Sequence, residues 1–128
     1  MKQATREWVK RAEEDFLAAI DLARRRRRFL HNAVCFHCQQ CAEKYLKARL
    51  EEAGLGIPKT HDLEAILNAL LPTEPLWSAL RPALQNLTDF AVAFRYPAQE
   101  ATRLDAKIAI TDAKAVRAEA RISLGLSV

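Results

Sequence analysis

Apolar residues along this chain fall into stretches of helical period separated by breaks. The first places Trp8, Ala12, Phe16, Ala19, Ile20 and Ala23 on one helical stripe, with Glu7, Lys10, Arg11 and Asp21 among the polar positions between them. This predicts a helix from about Thr5 into a run of arginines, acids early and arginines last, as the helix dipole favours. The second stretch starts near Asn32, a good N-cap residue, and carries Val34, Cys35, Cys38, Cys41, Ala42, Tyr45, Leu46, Ala48 and Leu50. Its apolar arc is too wide for one neighbour, which marks a central helix packed on two sides. Glu43 and Lys47 form an i,i+4 pair in the favourable order, and Gly54, Gly56 and Pro58 stop the helix.

Thr60 is the next expected N-cap, with Asp62 and Glu64 in the first turn of a short helix bearing Leu63, Ile66, Leu67, Leu70 and Leu71. Pro72 and Pro75 end it. Leu76, Leu80, Leu84, Leu87, Ala91 and Phe94 then share a stripe, and Pro82 suits a first turn, so the main helix begins near Arg81. Pro97 pushes Tyr96 out of the α region, so Arg95-Tyr96-Pro97 closes the helix. A polar linker over residues 98–103 leads to a last helix from about Leu104 to Leu124, with Leu104, Ile108, Ala115, Ala118 and Ile122 inward and Gly125 at its end. No internal repeat, low-complexity segment or strand of period two interrupts this pattern. The expected fold is all-α, an up-and-down helical bundle of four long helices plus a short one, in a single domain over residues 1–128.

Composition agrees. With only three Gly and five Pro, the chain lacks the turns of a sandwich or barrel, and with half its residues hydrophobic it can bury a core. No apolar run approaches the ~18 residues of a membrane span. The N-terminus has no apolar leader stretch and the cysteines number three, so a cytoplasmic protein without a disulfide framework or membrane association is expected. The formal charge is +4, yet removing the uninterrupted run Arg24, Arg25, Arg26, Arg27 and Arg28 turns it to −1. The chain is thus near neutral with one basic spot, which serves either as a phosphate-binding patch or as a solvated helix terminus.

His31, Cys35, His37, Cys38 and Cys41 invite a metal reading. On a continuous helix positions 31, 35 and 38 fall within ~60° of one another while 37 and 41 face elsewhere, so one tetrahedral ion cannot use all five. A mid-helix Cys-x-x-Cys also lacks the helix N-terminus that acidifies a thiol. The cysteines are expected to pack in the core, with no metal and no cofactor. Gln40, Glu43, Lys44 and Lys47 lie along one side of the second helix, as surface pairs or as part of a polar groove or dimer contact. His61 is either a turn histidine or a polar group at a site edge. Arg95 and Tyr96, at a forced helix end, either project into a groove, offering phosphate recognition and base stacking, or cap the last carbonyls and pack on the second helix.

Three segments together, Cys38-Gln39-Gln40-Cys41-Ala42-Glu43-Lys44-Tyr45-Leu46-Lys47-Ala48, Pro58-Lys59-Thr60-His61-Asp62-Leu63 and Phe94-Arg95-Tyr96-Pro97, preceded by Trp8 and Asp15-Phe16, resemble the HEPN domain (higher eukaryotes and prokaryotes nucleotide-binding). The resemblance runs from about residue 5 to 124 and implies a helical bundle that commonly dimerises. Members are often encoded beside a minimal nucleotidyltransferase, which the resemblance offers as a partner, such pairs being proposed as toxin–antitoxin systems or as a catalytic subunit with a substrate-binding subunit. Many members are metal-independent RNases using an Arg-x4–6-His motif near the start of the last long helix. Here Arg95 is the candidate arginine, but no His follows His61. Arg24, Arg25 and Arg26 all meet the spacing with His31, at the wrong junction of the bundle. RNA cleavage needs an acceptor for the 2′-OH proton, which an arginine cannot be.

The expected function is therefore a homodimeric module with no catalytic residue of its own, binding a nucleotide, RNA or a nucleotidyltransferase partner. Arg95, Tyr96 and His61 would form the binding site and residues 24–28 an accessory patch. The alternatives are an endoribonuclease toxin in which His31 or His61 replaces the missing histidine, and a pure protein-interaction subunit. Excess apolar surface on the second and last helices supports the expectation of a dimer.

Overall fold

A computed structural model describes the whole chain, Met1–Val128. It is all-α: α1 (Gln3–Ala23), α2 (His31–Glu52), the short α3 (Leu63–Leu70), α4 (Arg81–Ala93) and α5 (Arg103–Ser123), with a 3-10 helix over Pro75–Leu80. No helix is long and apolar enough to cross a membrane. Helices α1 and α2 are antiparallel, since the Lys2 amide and the Thr5 hydroxyl each donate to Glu52 at 2.9 Å while Asp15 meets His37. α5 runs parallel to α2: Asn32 reaches Ala101 at one end and Tyr45 meets Arg121 at the other.

α2 is the axis of the bundle. Val34, Cys35, Cys38, Cys41, Ala42, Tyr45, Leu46, Ala48 and Leu50 are all buried, as its wide apolar arc predicts. α3 buries Leu63, Ile66, Leu67 and Leu70. The remaining stripes are partly rotated from expectation. α1 buries Thr5, Ala12, Asp15 and Ala19, leaving Trp8, Phe16 and Ile20 at the edge of the core and Ala23 exposed. On α5 the buried residues are Ala106, Ala109, Ala113, Val116 and Ala120. Leu104, Ala115 and Ile122 point to solvent, with Ile108 and Ala118 half-buried. Small side chains let α5 approach α2 closely, so size is traded for distance and the larger aliphatics face outward. Leu76 is likewise exposed, and Trp77 beside it fills the core.

The caps correct the sequence reading at four points. α1 stops at Ala23 with Arg24 as C-cap, so the arginine run is loop rather than helix, and neither terminal turn carries the charges that would suit the dipole. Asn32 does not cap α2, which begins one residue earlier at His31. The Asn32 side chain accepts instead from the Ala101 amide at 2.7 Å, tying the α4–α5 linker to α2. Asp62, not Thr60, is the N-cap of α3, accepting from the Glu64 amide, while the Thr60 hydroxyl accepts from the Asp62 amide one step upstream. α5 starts at Arg103 behind a capping box in which Thr102 and Asp105 satisfy each other's amides, so the linker ends one residue sooner. Gly54 and Gly125 end α2 and α5 with φ of 71° and 74°, the left-handed conformation that glycine adopts freely.

Charged bridges knit the layers. The Arg117 guanidinium grips Glu13 with two 2.8 Å bonds, and the Tyr45 hydroxyl donates to the same carboxylate while accepting from Arg121. Burial alone would raise the Glu13 pKa, but these donors hold it below its ordinary value. Asn32→Ala is expected to cost roughly 1–2 kcal/mol, because the Ala101 amide loses its acceptor in a half-buried setting. Asn86→Ala, at an exposed pair with Asp112, is expected to stay within about 0.5 kcal/mol. Urea unfolding of the two variants compares them directly.

Candidate nucleic-acid interface

The up-and-down order brings four chain segments to one end of the bundle: the α1–α2 loop, the start of α2, the end of α4 and the start of α5. There a recess of about 420 Å³ opens between α2 and α4. From α2 come Asn32, Phe36, Gln39 and Gln40, from α4 and its end Phe90, Ala91, Phe94 and Arg95, and from the α2–α3 loop His61. Arg95 and His61, distant in sequence, thus share one cavity. Tyr96 follows the helix end but is 62% exposed and does not line it.

The walls have complementary chemistry. Phe90 and Phe94, one helical turn apart, stack with centroids 5.6 Å apart, and Phe36 faces the cavity from α2. Beside these apolar faces stand side-chain amides in a relay. Gln40 Nε2 donates to Gln39 Oε1 at 2.7 Å, and Gln39 Nε2 donates to Glu43 Oε1 and to the His61 carbonyl. The cation at the rim is Arg95, which makes no ion pair and caps no carbonyl with its side chain. An unpaired guanidinium beside flat apolar faces and amides suits an anion carrying a planar ring.

His61 is fixed from behind. Glu43, almost wholly buried, lies with Oε1 2.9 Å from His61 Nδ1 and Oε2 3.1 Å from Lys47 Nζ. Burial would raise the Glu43 pKa, yet the hydrogen bonds from His61, Lys47 and Gln39 outweigh it and hold the carboxyl below its ordinary value. An ionised carboxylate only accepts, so Nδ1 of His61 donates to it, and no protein hydrogen bond engages Nε2.

The four polar residues of α2 therefore do not form one surface row. Gln40 enters the recess, Glu43 and Lys47 are buried with Lys47 5.7 Å from the Trp8 ring centroid, and Lys44 crosses to Asp15 at 2.6 Å. The sequence reading missed Asn32, Phe36, Gln39 and Phe90 as lining residues. The available signals were an aromatic on the polar side of α2 and glutamines within an otherwise apolar arc.

Of the arginine run, Arg24, Arg25 and Arg26 line a separate recess with Arg103 and Lys107, while Arg27 and Arg28 line neither cavity. His31 sits beside this basic recess, not beside Arg95. His37 is engaged with Asp15 at 2.8 Å. All three cysteines are free and buried in the core, and burial pushes the Cys35 and Cys38 thiols up to about 12, far from the thiolate a metal or redox site needs. No three His, Cys, Asp or Glu side chains converge on a point.

The family model for the HEPN domain matches residues 5–123, nearly the whole chain. No curated protein and no solved structure gives a significant match.

Because the Glu43 carboxyl is depressed in the fold, its contribution to stability is fully present above the ordinary value of 4.5 and is lost as pH falls through the lower folded value. Thermal midpoints of the wild type and Glu43→Gln, followed from neutral pH downward, are expected to differ most at pH 7 and to converge below pH 4.5. A difference independent of pH would remove the charge from this account.

Proposed function

The chain belongs to the HEPN domain family, and on that footing we propose that it is a binding module whose Arg95 recess takes the phosphate of a nucleotide or of RNA. In this reading the module works as a homodimer beside a minimal nucleotidyltransferase partner, in a pair of toxin–antitoxin type. The observation that carries the reading is the shared cavity of Arg95, His61, the phenylalanines and the α2 amides. Arginine supplies planar, always-charged phosphate recognition, the rings accept a base face, and the amides offer donors and acceptors to its edge. Leu104 and Ile122, turned outward on α5, support the dimer. The apolar arc of α2 does not, since α1, α3, α4 and α5 already cover it.

Catalysis in this reading is weak, because no histidine follows Arg95 along the chain. One observation favours a second reading, an RNase that needs no metal. His61 lines the same recess as Arg95, and Nε2 of a neutral imidazole whose Nδ1 donates to Glu43 is a proton acceptor of the kind a 2′-OH requires. In that case the 2′-oxygen attacks phosphorus as its proton passes to Nε2, the bond to the 5′-oxygen breaks, and water protonates the leaving oxygen.

Both readings meet in one gel. Protein is titrated into labelled, partly single-stranded RNA in EDTA, beside Arg95→Ala. A shifted, intact band weakened roughly tenfold or more in the variant is the expected result, the loss of one charged hydrogen-bonding group. Cleavage abolished by Arg95→Ala and by His61→Ala would establish the second reading. An intact, unshifted band would leave a protein partner as what the bundle recognises.

A further inference from the structure

Two further recesses adjoin the Arg95 recess along the bundle end. Asn32, on its wall, also lines a second recess of about 350 Å³ with Phe29, His31 and Glu100. Phe29 and His31 in turn line the third, of about 410 Å³, whose cations are Arg24, Arg25, Arg26, Arg103 and Lys107. Shared wall residues set the three recesses side by side, a grooved row running from the α4 end across the start of α2 to the α1–α2 loop and α5.

The charges along this groove are unspent. Arg24, Arg25, Arg26, Arg95, Arg103 and Lys107 make no ion pair, as is also true of Arg6, Arg11, Arg27 and Arg28 outside the groove, whereas Arg49, Arg81, Arg117 and Arg121 are each held by a carboxylate. No acid lines either terminal recess. In the middle, the rings of Phe29 and His31 lie parallel, with centroids 5.3 Å apart and planes 8° from each other. Phe29 is 55% exposed, in a loop turned by Arg28 in the left-handed region at φ 53°. A large apolar ring held in a parallel stack and open to solvent is a platform for another flat ring. The one carboxylate in the groove, Glu100, belongs to this middle recess, where a base rather than a phosphate would lie.

We infer that the groove is a track for single-stranded nucleic acid, with phosphates held at Arg95 and at the Arg24–Arg26, Arg103 and Lys107 recess and a base stacked on the Phe29–His31 pair between them. This rests on the reading that the Arg95 recess takes a phosphate. A duplex hides its base faces, so only an unpaired strand can use the platform. The inference adds Phe29, His31, Arg103 and Lys107 to the binding surface and makes its ligand an extended strand rather than a mononucleotide.

The test compares uridine monophosphate with an oligouridylate of about eight nucleotides, a length a small single-strand module covers, in EDTA and over a range of salt. The oligomer is expected to bind at least about tenfold tighter than the mononucleotide, and Phe29→Ala to weaken the oligomer roughly tenfold and the mononucleotide less. Phe29→Trp, which keeps a stacking face, should retain the affinity. Arg103→Ala with Lys107→Ala should flatten the slope of log K against log salt by about 1.4, two single-strand phosphate contacts, whereas Phe29→Ala leaves it alone. An oligomer bound no tighter than the mononucleotide, indifference to Phe29, or equal binding of a fully paired RNA would overturn the inference. If the mononucleotide binds through Arg95 and the oligomer ignores Phe29, the track fails and the Arg95 reading stands; if neither ligand binds, both fail.

Discussion

The constraint on which this bundle depends is that α2, flanked by four other helices, buries most of its residues away from solvent, polar ones among them. Buried polar atoms must find partners inside the protein, at a cost of about 1–3 kcal/mol for each one left without. Every such atom here has one. Tyr45 is satisfied by Glu13 of α1 and Arg121 of α5, Lys44 by Asp15 of α1, and Glu43 by Lys47, Gln39 and His61. These bonds fix the register of the helices as well as their contacts. Buried pairs of this kind are weak evidence for added stability, but each bond in them fits only one alignment of its helices.

The same requirement shapes the candidate site. Glu43 cannot stay ionised in the core without donors, and one of its donors is a histidine on the loop before α3. Satisfying the core therefore positions His61, and through Gln39 and Gln40 it also orients the amides facing the recess. The Asn32 bond to Ala101 acts similarly at the bundle end, setting the α4–α5 linker against the start of α2. Polar groups at the surface of the cleft are held by polar groups beneath it, which keeps the rim in place.

The helices were legible because period and breakers act locally: Pro82, Gly54, Gly125 and the Arg95-Tyr96-Pro97 turn all fall where their backbone chemistry places them. The inward face of α5 was not. Ranking faces by residue size chose Leu104, Ile108 and Ile122, whereas close helix approach selected the alanines. Asn32 and Thr60 are good caps by residue type, yet tertiary and neighbouring backbone amides took their side chains. In the site, Arg95 stood out because proline forces the turn after it. The meeting of Arg95 with His61, and the shared walls that link both to the arginine loop, depend on how α2, α4 and the loops pack, which no local pattern encodes.

The central claim is that the end of the bundle where α2 begins and α4 ends is the surface that meets a phosphate-bearing ligand. The most direct measurement is NMR titration of isotope-labelled protein with uridine monophosphate and then with single-stranded RNA, following backbone and side-chain amides. The account predicts shifts confined to Asn32, Gln39, Gln40, His61 and the turn at Arg95, spreading to Phe29 and Arg103 with the longer ligand. Shifts at the opposite end, around Glu52, Glu74 and Ser123, or no shifts with either ligand, would contradict it.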